Sequence, residues 1–423
     1  MRVLRPSDPD YARRLGALQR RAEAAPEVEQ TVREIIASVR QRGDAALIEL
    51  TQKFGGPKLK PAGLRETRRA TVDARTAAAI AASHENVLAF ARKSLRKSWS
   101  GKNKQGALTG ERFDPFPRVG IYVPGGTAPL VSTAIMTVTF AAAAGVPEIA
   151  VATPADVTGE INDALLYALQ YAGATEIYKV GGAQAIAALA YGTKSIQPVA
   201  KIFGPGNAYV VEAKRQVFGA VSIDLLPGPS EILVLADASA NPAWIAADLL
   251  AQAEHGKGSQ ILFVTTSPRL LKAVPAELER QLAMLSRQQH LAGVLEKYCT
   301  LVLVKSMREG VALANDFAPE HIAIVSENDE ELARQVVTSG AIFLGPYSAV
   351  VAGDFVAGPS HTLPTGGAGK SFPGLTADMF QRRTSIVRLD RKSLSRSLET
   401  IATFSEIEGL DAHGRSAAIR LQE

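Results

Sequence analysis

The chain has 423 residues, of which 46% are hydrophobic and 21% charged, with a formal net charge of +5. That apolar fraction can fill a sizeable interior and the charge is too low for a disordered chain, while the length exceeds one average domain and points to two cores with smaller appendages. The single cysteine, Cys299, excludes a disulfide framework and a thiolate zinc cluster, and it fits a reduced, cytoplasmic setting.

Residues 1–25 are polar and basic, with Arg13, Arg14, Arg20 and Arg21 but no apolar core of signal-peptide length, and are expected to form a helical extension. Glu27 to Arg42 and Thr71 to Trp99 carry helical periodicity and have no strands of their own. The basic run Arg92, Lys93, Arg96, Lys97, Lys102 and Lys104 reads as a solvated helix face and loop. A nucleic-acid surface would bring stacking aromatics, and only Trp99 is nearby.

Arg118 to Val123, Glu148 to Thr153, Glu176 to Val180 and Val199 to Phe203 then read as strands separated by helix-length segments. Within this series Gly120 to Pro147 carries no charge, but Pro124, Gly125, Gly126 and Pro129 interrupt it. The remainder, Leu130 to Gly145, is shorter than the roughly 20 apolar residues of a membrane span and reads as a buried helix. A second series has strands at Glu231 to Ala236, Gln260 to Thr265, Thr300 to Val304, His321 to Val325 and Ala341 to Leu344, with helices such as Asn241 to His255 and Asp329 to Thr338. Beyond Gly345 the chain is glycine-rich and irregular, and from Thr376 it turns polar and helical.

The expected fold class is therefore α/β, with two doubly wound, incomplete Rossmann-like domains joined at Pro227-Gly228-Pro229-Ser230, a small N-terminal helical part and a C-terminal tail. The N-terminal helices are expected on the second sheet. That divides the chain into 1–25, a discontinuous domain of 26–121 and 231–375, an inserted domain of 122–230, and a tail of 376–423.

Among the six histidines, His84 and His290 read as surface residues, while His255, His321, His361 and His413 sit at element ends beside an acid, a glycine or a proline. In α/β proteins such sites are expected at a sheet's carboxyl edge. Gln252 and His255 share a helical face and can chelate a metal or simply end a helix. Asp354 and His361 lie between glycines, where an aspartate also serves in a turn, and His413 alone would be a surface residue. Glu320-His321 after Pro319 offers a paired acid and base. Because neighbouring strand residues face opposite ways, both can reach one substrate only if the backbone there is irregular. No Gly-x-Gly-x-x-Gly fingerprint follows a strand, but the turns at Val123 to Thr127, Val180 to Gln184 and Phe203 to Asn207 lead into helices that could hold an anionic ligand.

The runs GIYVPGGTAPL (Gly120 to Leu130), VGGAQAIAALAYGT (Val180 to Thr193), KIFGPGNAYV (Lys201 to Val210), LPGPSEILVLAD (Leu226 to Asp237), LLAQAEHG (Leu249 to Gly256), NDFAPEHI (Asn315 to Ile322) and GPSHTLPTGG (Gly358 to Gly367) together resemble the histidinol dehydrogenase family over nearly the whole chain. The resemblance implies oxidation of L-histidinol, through the aldehyde, to L-histidine with two NAD, the last steps of histidine biosynthesis, in a zinc-dependent homodimer. It implies Gln252, His255 and Asp354 as zinc ligands with His413 from the other subunit. It further implies His321 as the base for the alcohol, Glu320 as the base for water, Ser230, His361 and Glu408 as substrate contacts, and Tyr122, Gln184 and Asn207 as NAD contacts. Phe355, where members often carry tyrosine, and Ser360, where asparagine is common, depart from the pattern near the substrate. Competing readings are a relative acting on another small alcohol such as a sulfonated diol, and a non-catalytic binding protein on the same fold. The segment Ser371 to Ile386 resembles the histidinol enzymes more than such relatives.

Overall fold

The computed structural model describes residues 1–18, 25–125 and 129–422. Arg20, Arg21 and the Gly126-Thr127 end of the first glycine-rich turn lie outside the described residues. The early strands are β1 (Arg2–Leu4), β2 (Arg65–Glu66), β3 (Trp99–Lys102) and β4 (Leu108–Pro115). The first α/β series contributes β5 (Arg118–Tyr122), β6 (Glu148–Ala152), β7 (Glu176–Tyr178), β8 (Lys201–Phe203) and β9 (Ser222–Ile223). The second contributes β10 (Glu231–Ala236), β11 (Gln260–Thr265), β12 (Cys299–Leu303), β13 (His321–Val325) and β14 (Ala341–Leu344), and β15 (Gln381–Arg388) comes last.

The two large sheets have matching topology. One runs β2-β7-β6-β5-β8-β9 and the other β1-β12-β11-β10-β13-β14, each with its earliest core strand in the middle and the order reversing beside it. Apart from β2, which pairs antiparallel with β7, the strands of both sheets are parallel. Such sheets are covered on both faces, which explains the unbroken apolar strands: every residue of β5 and of β10 is buried.

The packing of the N-terminal helices corrects the expected division of the chain. Pro26–Arg42 and Asp44–Lys53 bury Val32, Ile35, Val39, Leu47 and Leu50 against Ala187, Leu189 and Tyr178 of the first series, and Ala74–Ser94 buries Ile80 and Val87 against the helix Val131–Ala143 on the other face. Residues 26–94 therefore pack with the first sheet's layers, not the second's, and residues 99–115 join a separate small sheet. The physical reason is that the helices Val131–Ala143 and Gly182–Tyr191 are apolar all round and need cover on their outer sides as well as against the sheet. The second sheet is discontinuous through β1 alone, which pairs in parallel with β12 where a helical extension was expected.

Three further boundaries differ. The helix expected to reach Trp99 stops at Ser94, and Trp99 opens β3, so the basic run crosses an exposed strand as well as a helix end. The tail begins with β15, which pairs antiparallel with β4 before the helices Arg391–Ile407 and Asp411–Ala418, and so stitches the C-terminal unit to residues 99–115. The uncharged stretch forms the 13-residue helix Val131–Ala143, buried along most of its length, and no helix among the described residues is long and apolar enough to cross a membrane.

Leu47→Ala is expected to cost about 2–5 kcal/mol, because Leu47 has no solvent exposure and the first sheet's face cannot close over the void. Urea unfolding followed by circular dichroism measures it, and a loss below about 0.5 kcal/mol, the usual size of a surface effect, would contradict this packing.

Candidate active site

Two cavities meet where the carboxyl ends of β5 and β8 face the amino ends of β10 and β13. The first, of about 370 Å³, is walled by Ser230, His255, Glu320, His321, Asp354 and His361, together with Pro124, Thr133 and Gly206. His255 and His321 thus lie at the amino edge of the second sheet and not at a carboxyl edge as expected, while the first sheet's carboxyl edge contributes Pro124 and Gly206.

Register sets the Glu320–His321 pair beside β10, since Ile232 of β10 lies opposite His321 of β13. Ala318, which ends the helix Met307–Phe317, adopts φ 50° and ψ 65° and is the only non-glycine described residue with positive φ. This strained reversal sets Glu320 just outside the strand alternation, and both side chains then line one cavity. Oε2 of Glu320 accepts the Ser230 hydroxyl at 2.6 Å and the Glu231 N–H at 2.8 Å. Burial, reinforced by the charges of Glu231 and Asp354, nevertheless pushes the Glu320 carboxyl up to about 8. His321 turns Nδ1 to the Glu231 carbonyl at 3.1 Å, which places the proton on that nitrogen and leaves the Nε2 lone pair free. Burial holds this imidazole below its ordinary value, so it is neutral.

The helix carrying Gln252 ends at Ala253, two residues short of its expected end, and the His255 N–H donates to the Gln252 carbonyl at 3.2 Å in the closing turn. Gly256 takes the left-handed position that follows, with φ 88°. The Gln252 side chain is buried, and its Nε2 finds no partner. Burial lowers the His255 pKa, opposed by the charge of Asp354. Asp354 lies on the short helix Val350–Phe355, where an irregular segment was expected. His361 is held at both nitrogens, with Nε2 2.9 Å from Thr133 Oγ1 and Nδ1 3.3 Å from the Asp354 carbonyl. Phe355 stands 60% exposed at the cavity rim, while Ser360 is buried and accepts the Thr362 N–H, so of the two departures only Phe355 lines the cavity.

The second cavity, of about 490 Å³, gathers Tyr122, Gln184 and Asn207 at the carboxyl ends of the first sheet. The Tyr122 phenol accepts the Gly182 N–H at 3.1 Å, and Gln184 Oε1 is buried without a partner. Oδ1 of Asn207 caps the helix Ala208–Val217 through the N–H groups of Tyr209 and Val210, which leaves its NH₂ to face a ligand. Gly181 cannot carry a side chain because a Cβ there would sit 2.7 Å from Pro154. Adjacent residues separate the cavities: Pro124 and Gly206 line the first, while Gly125 and Asn207 line the second.

Glu408 and His413 are not brought in. Both are exposed on the C-terminal helices and line neither cavity, and among the described residues no three His, Cys, Asp or Glu side chains are grouped to hold a metal.

The family model for histidinol dehydrogenase matches residues 18–421. The chain belongs to the histidinol dehydrogenase family. It is 42% identical over 430 residues to the histidinol dehydrogenase of Syntrophotalea carbinolica and 43% identical over 430 residues to that of Geobacter sulfurreducens, with 100% of both chains covered in each comparison. The crystal structure of histidinol dehydrogenase from Elizabethkingia anophelis superposes with a TM-score of 0.94 at 34% identity, covering 100% of this chain and 98% of that one.

Sequence reasoning missed Thr133, Glu231 and the pair Thr31 and Thr51, which line the second cavity. Thr133 could have been suspected as a hydroxyl in an otherwise apolar helix. Thr31 and Thr51 could not, because the helix of Thr31 was expected on the other sheet and no helix was expected over Thr51.

The raised Glu320 pKa has a consequence for stability. The folded state holds this proton above the ordinary value of 4.5, so the contribution is fully present below that value and is lost as pH rises through about 8. The Tm of Glu320→Gln relative to the unsubstituted chain is expected to climb between about pH 5 and about pH 9. A pH-independent difference would show that the carboxyl is not held protonated.

Proposed function

We propose that this chain performs the reaction of its family, the NAD-dependent oxidation of L-histidinol through the aldehyde to L-histidine. The observation that carries it is the neutral, buried His321 with Nε2 open beside Glu320, in a cavity that shares its wall with the one holding Tyr122, Gln184 and Asn207. His321 takes the hydroxyl proton as hydride leaves the carbinol carbon for the nicotinamide. Glu320, fixed through Oε2, offers Oε1 to a water that attacks the aldehyde, and hydride leaves the resulting hydrate in the second oxidation. His361, held by Thr133, and Ser230 contact the substrate, and Asn207 presents its NH₂ to NAD.

Gln252, His255 and Asp354 suit zinc: the oxygen of a buried amide, an imidazole whose pKa burial lowers and a carboxylate are nitrogen and oxygen donors of the kind it takes. Held by these residues, zinc would supply a Lewis-acid template that orients the substrate through its nitrogens. Three donors from one chain leave the set incomplete, and His413 of a second copy completes it, with Glu408 reaching the substrate imidazole. The exposure of both residues beside the exposed apolar Phe404, Ile407 and Leu410 supports a homodimer with shared sites. No observation favours a sulfonated diol as substrate.

NADH formation with L-histidinol and a panel of diols, with and without chelator, tests the reading. Turnover of a diol with none of histidinol would overturn it. Glu320→Gln is expected to leave alcohol oxidation nearly intact and to slow aldehyde oxidation by roughly 10²–10⁴-fold. Aldehyde oxidation by the unsubstituted chain should also rise with pH through about 8 as Glu320 loses its proton. Equal loss in both half-reactions would contradict the division of roles. Mixing inactive His413→Ala and His255→Ala chains should restore activity, since one site of each heterodimer is then intact, and verified heterodimers without recovery would place His413 outside the site.

A further inference from the structure

The wall between the two cavities is held from behind by two charges with no solvent exposure at all. Lys214, on the helix Ala208–Val217, forms an ion pair with Asp224, and both side chains are 0% exposed. Each also reaches Gly204, the residue that follows β8 and opens the loop Gly204-Pro205-Gly206-Asn207. Lys214 Nζ donates to the Gly204 carbonyl at 2.9 Å, and Asp224 Oδ2 accepts the Gly204 N–H at 2.8 Å. Oδ1 of Asp224 also takes the Leu225 N–H at 2.6 Å. Gly204 itself has φ 109°, and a Cβ there would lie 2.0 Å from the Tyr122 carbonyl oxygen, so its backbone is pressed against the end of β5.

Burying two charges is costly, and an apolar pair of similar size is usually as stabilising or more so. Here both charges are spent on the two peptide groups of one glycine. That glycine stands two residues before Gly206, which faces the first cavity, and three before Asn207, which faces the second. We propose that Lys214 and Asp224 are positioning residues that set the Gly204–Asn207 loop, and through it Asn207 and Tyr122, in the geometry that binds NAD and aims it at the neighbouring cavity. This rests on the second cavity being the NAD site.

The test compares the full-length chain with Lys214→Met/Asp224→Leu, which removes both charges and leaves an apolar pair, reading Tm, NAD affinity by isothermal titration calorimetry and the steady-state constants. The double variant is expected to keep its Tm within a few degrees while NAD binding weakens on the order of tenfold and kcat falls with it, because the loop is free to shift. Asp224→Asn keeps an acceptor for the Gly204 N–H and should retain more NAD affinity than Asp224→Leu. A double variant that binds NAD as tightly as the unsubstituted chain overturns the proposal. If the double variant does not fold, Lys214→Met/Asp224→Asn carries the test, since it keeps an acceptor for the Gly204 N–H but removes both charges and the donor to the Gly204 carbonyl, and NAD affinity there equal to that of the unsubstituted chain overturns the proposal equally. Failure of the underlying reading looks different: Asn207→Ala would then leave NAD affinity intact, and the proposal falls with it.

Discussion

At the amino end of β10 the peptide groups of Glu231 are committed to side chains: the N–H goes to the Glu320 carboxyl and the carbonyl receives Nδ1 of His321. Both reacting groups therefore depend on the β10–β13 register. Glu231 extends the constraint through its own carboxylate, which accepts the Gly366 N–H and ties the glycine-rich segment after β14 to the same point. A slip of one residue would turn the site's side chains to the opposite face of the sheet, so the fidelity of the centre is that of a parallel strand pair in a buried sheet.

Burial acts in opposite senses on the two groups. Removing solvent disfavours whichever form is charged, which lowers the His321 pKa and raises that of Glu320. Under the proposed function, that difference would give one base ready at neutral pH for the alcohol and a second that becomes available only as pH rises, for the water. Of the three residues proposed to hold a metal, Gln252 is buried, Asp354 is half-buried and His255 is exposed.

Two sheets of like topology meet at unlike edges. The first offers carboxyl ends and helix N-termini, the usual setting for a dinucleotide, while the second offers amino ends whose strand starts carry the acid/base pair. The proline-rich joint lines the shared cavity through Pro227, Gly228 and Ser230, so the hinge of the fold is also a wall of the site. Keeping these edges aligned falls to short polar ties such as the Gly228 N–H on Thr365 and the Lys214–Asp224 pair behind Gly204.

Most of the local structure is legible in the residues. Strand positions in both series follow from short apolar runs bounded by glycine and proline, and the three glycine-rich turns mark where backbone must approach a ligand. The ordered motifs identify the family. Other features depend on partners far along the chain. The helices of residues 26–94 are amphipathic, but amphipathicity does not say which apolar surface they cover, and the first series claimed them because its helices Val131–Ala143 and Gly182–Tyr191 are apolar all round. Residues 99–102 and 381–388 carry little apolar signal as strands, because they flank β4 in a small exposed antiparallel sheet, and the partner of 381–388 lies hundreds of residues back along the chain. The shared orientation of Glu320 and His321 also had to await the structure, since it turns on the left-handed Ala318 that tertiary packing enforces. Sequence thus determined which groups are candidates for the chemistry, because side-chain type is local. Tertiary structure decided which of them meet, because that is set by register and by competition among faces for cover.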